Sequence, residues 1–285
     1  MKLLIISGLS GAGKSIALQA LEDLDYYCVD NLPLALLPAF ARQMLASGQA
    51  AQDVAVGVDA RNDAEELQAF QYSLDQLQSL GVSYEIIFLE AADNTLLQRF
   101  SETRRKHPLT DAGTPLTDAI MRERKLMEKI AAAAALHIDT SGTNVHQLRA
   151  LIRGRVAHRP AAQLSMMFVS FGYKNGIPAD VDYVFDVRCL PNPHWDPRLR
   201  PRDGRDAAVI DFLEQQPEVM KMLADIENFL QTWLPAFAVE NRSYMTIAIG
   251  CTGGQHRSVY LAERLAAVFR QDCENVQIRH RDVTS

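Results

Sequence analysis

The chain has 285 residues, 48% of them apolar and 22% charged, with 35 acidic against 29 basic side chains and a formal net charge of −6. That composition is the one of an ordinary globular protein, and the length suits two domains better than one. The negative balance argues against broad electrostatic attachment to nucleic acid or to an anionic membrane.

The first apolar run, Leu3-Leu4-Ile5-Ile6, stops at Gly8, too soon for a signal-peptide core, and no later run is long enough to span a bilayer. The four cysteines, Cys28, Cys189, Cys251 and Cys273, form no C-x-x-C pair and read as reduced thiols of a cytoplasmic protein.

Leu3 to Ser7 reads as a strand buried on both faces of a parallel sheet. It runs into Gly8-Leu9-Ser10-Gly11-Ala12-Gly13-Lys14-Ser15, which fits G-x-x-x-x-G-K-[ST], and a helix from Ile16 to Leu24 follows. Glycines let such a loop turn successive N–H groups towards an anion, and the helix N-terminus adds its field. Lys14 is placed to reach the β- and γ-phosphates of a nucleotide, and the Ser15 hydroxyl to hold Mg²⁺ between them.

Further along, strands are expected at Tyr26–Asp30, Val54–Val58, Val82–Leu89 and Leu136–Asp139. Helices are expected at Leu34–Ala46, Asp63–Leu80, from an Asp93 cap to Arg105, from Thr117 through the run of five alanines, and at Val145–Ala157. Alternating strands and helices imply a parallel sheet with right-handed crossovers and helices on both faces. A boundary is expected near Arg159-Pro160-Ala161-Ala162, giving domains over 1–158 and 163–285.

The second half, a mixed α/β domain, has expected strands at Leu164–Phe171, Val181–Val187, Tyr244–Ile249 and Asn275–Arg279, and helices at Ala207–Gln215, Pro217–Leu234 and up to Phe269.

Asp59, after the third apolar strand, stands where a Walker-B acid would bind Mg²⁺. Ala60 follows it where fast ATPases carry a Glu, so hydrolysis should be slow unless another group supplies the base. Asp30 ends the second strand, where P-loop kinases place an acid facing the acceptor. Arg99, Arg104 and Arg105 precede a loop, His107 to Pro115, in the manner of a kinase lid.

A second glycine loop, Gly250-Cys251-Thr252-Gly253-Gly254-Gln255-His256-Arg257-Ser258, lies between a strand and a helix and should also gather N–H groups around an anion. Cys251 and Arg257 have the C-x₅-R spacing of cysteine phosphatases, with Asp196 of Trp195-Asp196-Pro197 as a candidate general acid. Phosphate binding without turnover fits the loop as well. Asp186, Arg188 and His194 could complete the pocket.

Together, Gly8 to Ser15, Cys28 to Pro33, Asp59 to Asn62, Phe171 to Gly176, Asp186 to Pro193 and Gly250 to Ser258 resemble the RapZ/YvcJ family of bacterial nucleotide-binding proteins along essentially the whole chain. The resemblance implies a kinase-like P-loop domain that binds ATP and GTP and hydrolyses them slowly. Asp59, Ala60, Arg61 and Asn62 would form the GTP contact.

It also implies a second domain that senses an amino-sugar phosphate or a UDP-sugar through His194, Thr252, Gly253, His256 and Arg257, in a homo-oligomer. Some members act as RNase adapters and end in a basic tail. Here Arg279-His280-Arg281 is followed by Asp282-Val283-Thr284-Ser285, which argues against RNA binding. A P-loop sugar kinase and a cysteine phosphatase are the alternatives.

Overall fold

A computed structural model describes residues 2–46, 53–60, 70–111, 113–156, 164–239, 244–273 and 275–283. The chain forms two compact units, Met1–Ala157 and His158–Ser285.

In the first unit, five strands form one parallel sheet: β1 (Lys2–Gly8), β2 (Tyr27–Val29), β3 (Val54–Gly57), β4 (Ser83–Glu90) and β5 (Leu136–Asp139), in the order β2-β3-β1-β4-β5. β1 is central, so its apolar run meets helices on both faces. Leu3 and Ile5 join a core with α2 (Leu37–Ala46), α3 (Phe70–Ser79) and α5 (Leu116–Ala132), through Leu37, Leu74, Leu77, Met127 and Ile130. On the other helical layer, α1 (Lys14–Glu22) packs against α6 (Val145–Val156), burying Ala17, Leu18, Leu148 and Ile152. Burying each of those large side chains contributes roughly 1.5–3 kcal/mol.

Several expected boundaries move for local reasons. β2 is shorter than Tyr26–Asp30, because Asn31 turns the chain with φ 52°, a conformation that Asn tolerates better than most residues. Leu34–Leu36 forms a 3₁₀ turn before α2. The Asp63 start expected for α3 lies outside the described residues.

α4 (Asp93–Thr103) is not capped by Asp93. Ala92 is the cap residue, and Asp93 sits in the first turn, where its charge still suits the helix dipole. α4 ends at Thr103 rather than Arg105, because Arg104 is left-handed at φ 51°.

In the second unit, β6 (Ser165–Gly172), β7 (Tyr183–Asp186), β8 (Tyr244–Cys251) and β9 (Val276–His280) are parallel, in the order β7-β8-β6-β9. β6 and β8 are buried at every position, as inner strands must be. α7 (Ala207–Glu214), α8 (Pro217–Val239) and α9 (Arg257–Phe269) supply Leu213, Ile226, Leu230, Leu261 and Leu265 to a core with Phe168 and Ile247.

α8 runs past Leu234 and through Pro235. The ring removes one backbone bond at the Gln231 carbonyl, on the exposed side, while Leu230 and Leu234 stay buried and hold the helix down.

Candidate functional site

Ligands of open α/β sheets sit outside the carboxyl ends of the strands, where the connections diverge. In the first unit that place is the end of β1. Gly8 has φ 140°, and a Cβ there would lie 2.0 Å from the Leu89 carbonyl oxygen, so only glycine allows β1 to turn against β4. The Leu9 N–H donates to that same oxygen at 3.0 Å, and the Ala12 N–H closes the turn on the Leu9 carbonyl.

α1 then starts at Lys14, whose Nζ donates to the Gly8 and Leu9 carbonyls at 2.8 and 3.2 Å. Pairing of β1 with the neighbouring segment continues past β3. The Val58 N–H donates to the Ile6 carbonyl, and the Ser7 hydroxyl to the Val58 carbonyl at 2.9 Å, so Asp59 emerges level with the loop.

A cavity of about 500 Å³ opens over this loop. Its wall carries Lys14, Arg99, Arg105 and Lys106 as cations, and Asp30, Asp59 and Glu102 as carboxylates, with Ser15 on the helix side. Four of the expected residues, Lys14, Ser15, Asp30 and Asp59, therefore share one cavity, although they come from three separate stretches of chain. Gly11, Ala12 and Gly13 line it too.

Ala60 is buried, and Arg61 and Asn62 lie outside the described residues. Cations opposite hard oxygen donors suit a polyphosphate bridged by a divalent ion. Ser15 and Asp59 are the chemical type of ligand that Mg²⁺ takes.

The three arginines expected to form a lid divide. Arg99 braces the loop: Nη1 donates to the carbonyl of Gly11 and to Thr140 Oγ1, each at 3.0 Å, and Nη2 to the Thr140 carbonyl at 2.6 Å. Arg104 is exposed and does not line the cavity, whereas Arg105 does.

Two residues that the sequence reading passed over complete the loop's support. Glu123, fully buried on α5, accepts from the Ser10 N–H at 3.0 and 3.1 Å and from the Ser10 hydroxyl at 2.7 Å. Its other partner is His107 Nε2 at 3.0 Å. The Leu109 N–H donates to His107 Nδ1, so the ring hydrogen is on Nε2 and points at the carboxylate. Burial would push the Glu123 carboxyl up, but His107, Lys14 and both Ser10 donors outweigh it and hold it below the usual glutamate value. No motif marks Glu123, since a glutamate in a charged helix reads as a solvated one.

In the second unit, the Gly250 to Ser258 loop follows β8 and leads into α9. Gly254 has φ 75°, and a Cβ there would lie 2.6 Å from the Gly172 nitrogen, so the loop lies directly on the end of β6. Cys251 Sγ accepts the Gly254 N–H at 3.2 Å and lies 3.1 Å from Ser258 Oγ. Burial pushes the Cys251 thiol up, yet Ser258, Gly254 and Arg257 together bring it below an ordinary cysteine.

Arg257, nearly fully buried, donates through Nη1 to the Arg188 and Leu190 carbonyls, each at 2.8 Å, and approaches Thr252 Oγ1 through Nη2 at 3.4 Å. The His194 and His256 rings are 6.2 Å apart, and His256 Nε2 donates to the Leu199 carbonyl at 3.2 Å. Burial holds the His256 ring below the usual histidine value. Thr252 is exposed beside Gly253. Asp186 and Arg188 pair with each other at 2.7 Å, and the Arg188 guanidinium lies 3.9 Å over the Tyr173 ring.

Asp196, the candidate acid for Cys251, is paired within its own loop. It pairs with Arg198 at 2.7 Å, and that side chain holds its carboxyl down to about 2.

The family comparisons agree with this division. Residues 1–159 match the model of the RapZ-like N-terminal domain, and residues 164–284 that of the RapZ C-terminal domain. A relative in Alkalilimnicola ehrlichii, named nucleotide-binding protein, is 56% identical over 99% of this chain and 98% of its own length. One of the same name in Nitrosococcus oceani is 55% identical over the full length of both.

A solved sugar kinase from Janibacter sp. aligns with a TM-score of 0.35 and 14% identity, over 54% of this chain and 92% of that one, a level that carries no argument about activity. Two glycine loops at the ends of two parallel sheets, and both domain models matched in order, put one conclusion beyond the fold itself: this chain belongs to the RapZ family.

Proposed function

We propose that the first unit binds a nucleoside triphosphate, ATP or GTP, with Mg²⁺, and hydrolyses it slowly, while the second senses an amino-sugar phosphate or a UDP-sugar. The observation that carries this is the common cavity of Lys14, Ser15, Asp30 and Asp59 at the end of β1. In this reading, residues Gly8, Leu9, Ser10, Gly11, Ala12 and Gly13 wrap the phosphates and the Lys14 ammonium offsets their charge. Ser15 and Asp59 hold the Mg²⁺, which supplies charge neutralisation between the phosphates.

The relatives' printed name, nucleotide-binding protein, agrees with it. Slow turnover follows from Ala60, which leaves no carboxylate directly after Asp59 to orient water. Asp59 and Ala60, with Arg61 and Asn62, are the proposed GTP contact.

For the second unit, support comes from the loop of Thr252 and Gly253 beside His256, Arg257 and His194, on which an anionic group would meet N–H donors and the α9 N-terminus. The reading does not extend to RNA. Arg281 is committed to the Gly172 and Gly176 carbonyls at 3.1 and 2.7 Å, and Asp282 lies beside it. Among the described residues no helix is long and apolar enough to cross a membrane.

Calorimetric titration of Mg·ATP and Mg·GTP against the wild type and Lys14→Ala tests the first part. Binding that Lys14→Ala abolishes supports it, and a wild type without affinity for either nucleotide sinks it. Titration of glucosamine 6-phosphate and UDP-N-acetylglucosamine, with Arg257→Ala as the control, tests the second.

Asp30 in the same cavity favours one second reading, a sugar kinase with Asp30 as acceptor base. Phosphoryl transfer to a sugar faster than to water, lost in Asp30→Asn, would establish it.

A further inference from the structure

The Ser10 N–H belongs to the phosphate loop, yet it points at a buried carboxylate. A fully buried anion close enough to influence Lys14 is a costly thing to place beside a site for polyanions, unless it holds something in position.

What it holds is clear from its partners. One side of the Glu123 carboxylate takes both donors of Ser10, and Oε2 also takes the Nε2 hydrogen of His107. His107 sits directly after Arg105 and Lys106, which line the cavity, and directly before Pro108, which lines it too. It is 2% exposed, the buried pin between exposed Arg104 to Lys106 and half-buried Pro108 to Thr110. Its ring also packs against Phe100 at 5.1 Å, tilted by 53°, and the Phe100 edge comes within 3.2 Å of where a Gly11 side chain would begin. The cationic arm and the phosphate loop are thus joined twice, by hydrogen bonds through Glu123 and by ring packing at Gly11.

We propose that Glu123 is a positioning residue: through a Ser10–Glu123–His107 chain it fixes the arm of Arg105 and Lys106 to the phosphate loop, and so sets how tightly a triphosphate tail is held. The inference rests on the nucleotide-binding reading above. Glu123 itself touches no ligand. It acts because the loop and the arm adopt one joint arrangement, in which cations on the arm face the cavity that the loop encloses.

The chain makes a thermodynamic demand. If Glu123 places Arg105, then Arg105 is useful only while Glu123 is intact, and the two substitutions are non-additive. The test is a double-mutant cycle on the dissociation constant of Mg·ATP, with melting temperature followed in parallel.

Glu123→Gln keeps the shape but turns an amide donor towards either Ser10 or His107, each of which also donates. Arg105→Ala is expected to weaken Mg·ATP about tenfold in the wild type and less than about twofold in the Glu123→Gln background. The same tenfold loss in both backgrounds overturns the proposal.

Should Glu123→Gln fail to fold, His107→Phe takes its place. It keeps a ring against Phe100 but removes both the Nε2 donor to Glu123 and the Nδ1 acceptor of the Leu109 N–H, and the same non-additivity with Arg105→Ala is expected. Additive effects there overturn the proposal equally. A merely structural Glu123 would lower the melting temperature and leave the Arg105 effect unchanged. A wild type that binds neither Mg·ATP nor Mg·GTP overturns the underlying reading together with this one, which sets that failure apart from additivity.

Discussion

The Arg99 guanidinium donates at 2.6 Å to the carbonyl oxygen of Thr140, at the end of β5. Its other nitrogen reaches the Gly11 carbonyl, and Thr140 Oγ1 lies 3.0 Å from the Ala12 carbonyl, so two segments close on the phosphate loop from one side. An arginine with the sequence position of a lid residue therefore serves as a brace. One guanidinium thus satisfies a carbonyl of the phosphate loop and one at the end of β5, and ties the two together.

Arg99→Ala should accordingly lower stability by about 1–2 kcal/mol, from lost charge-assisted bonds at a half-buried site, and weaken Mg·ATP at the same time. Arg99→Lys should not restore either, since an ammonium cannot span Gly11 and Thr140 together. Chemical denaturation and titration of the two variants check this.

Two glycines should respond in opposite ways. Gly8→Ala puts a Cβ 2.0 Å from the Leu89 carbonyl oxygen at φ 140°, and is expected to cost more than about 4 kcal/mol, enough to leave little folded first unit. Gly253→Ala meets nothing within 4 Å and should stay within roughly 0.5 kcal/mol of the wild type. Any loss of sugar-phosphate binding in Gly253→Ala would then report on the ligand rather than on folding. Circular dichroism melts separate the two.

The cysteines should differ in reactivity. Burial, with help from Glu22, pushes Cys28 up to about 11. At pH 8 its thiolate fraction is then roughly a hundredfold below that of a thiol at the ordinary value of 9.0. Mass spectrometry after brief iodoacetamide treatment of the native protein should find Cys189, which is exposed, labelled and Cys28 unlabelled. In denaturant both should label.

Acid should act on the Glu123 pin. Its carboxyl lies below the unfolded value of 4.5, so the stability it supplies is complete above pH 4.5 and fades as the pH falls through its lower folded value. Melting temperature should drop more steeply below pH 4.5 in the wild type than in Glu123→Gln, which has no proton to take up at that position. Equal slopes would show that the folded carboxyl titrates no lower than the unfolded one.

The first strand, its glycine loop and the Asp59 strand end were legible in the chain because each is a local pattern. Apolar runs state a strand buried on both faces, and glycine spacing states a loop that must turn sharply. The parallel alternation followed from the order of those patterns. Boundaries were less legible, since neighbours decide them. Asn31 ends β2, Ala92 rather than Asp93 caps α4, and buried Leu230 and Leu234 carry α8 through Pro235.

The family likeness was likewise carried by ordered local motifs, and both domain models match the chain. What the sequence alone determined is the set of loops and the elements that present them. What only the tertiary structure decided is how those loops are held: Ser10 meets Glu123 across 113 residues, Arg99 meets Gly11 across 88, and Thr140 meets Ala12 across 128. Separations of that size leave no spacing rule in the chain, because the partners become neighbours only when the parallel sheet brings its strand ends to one edge.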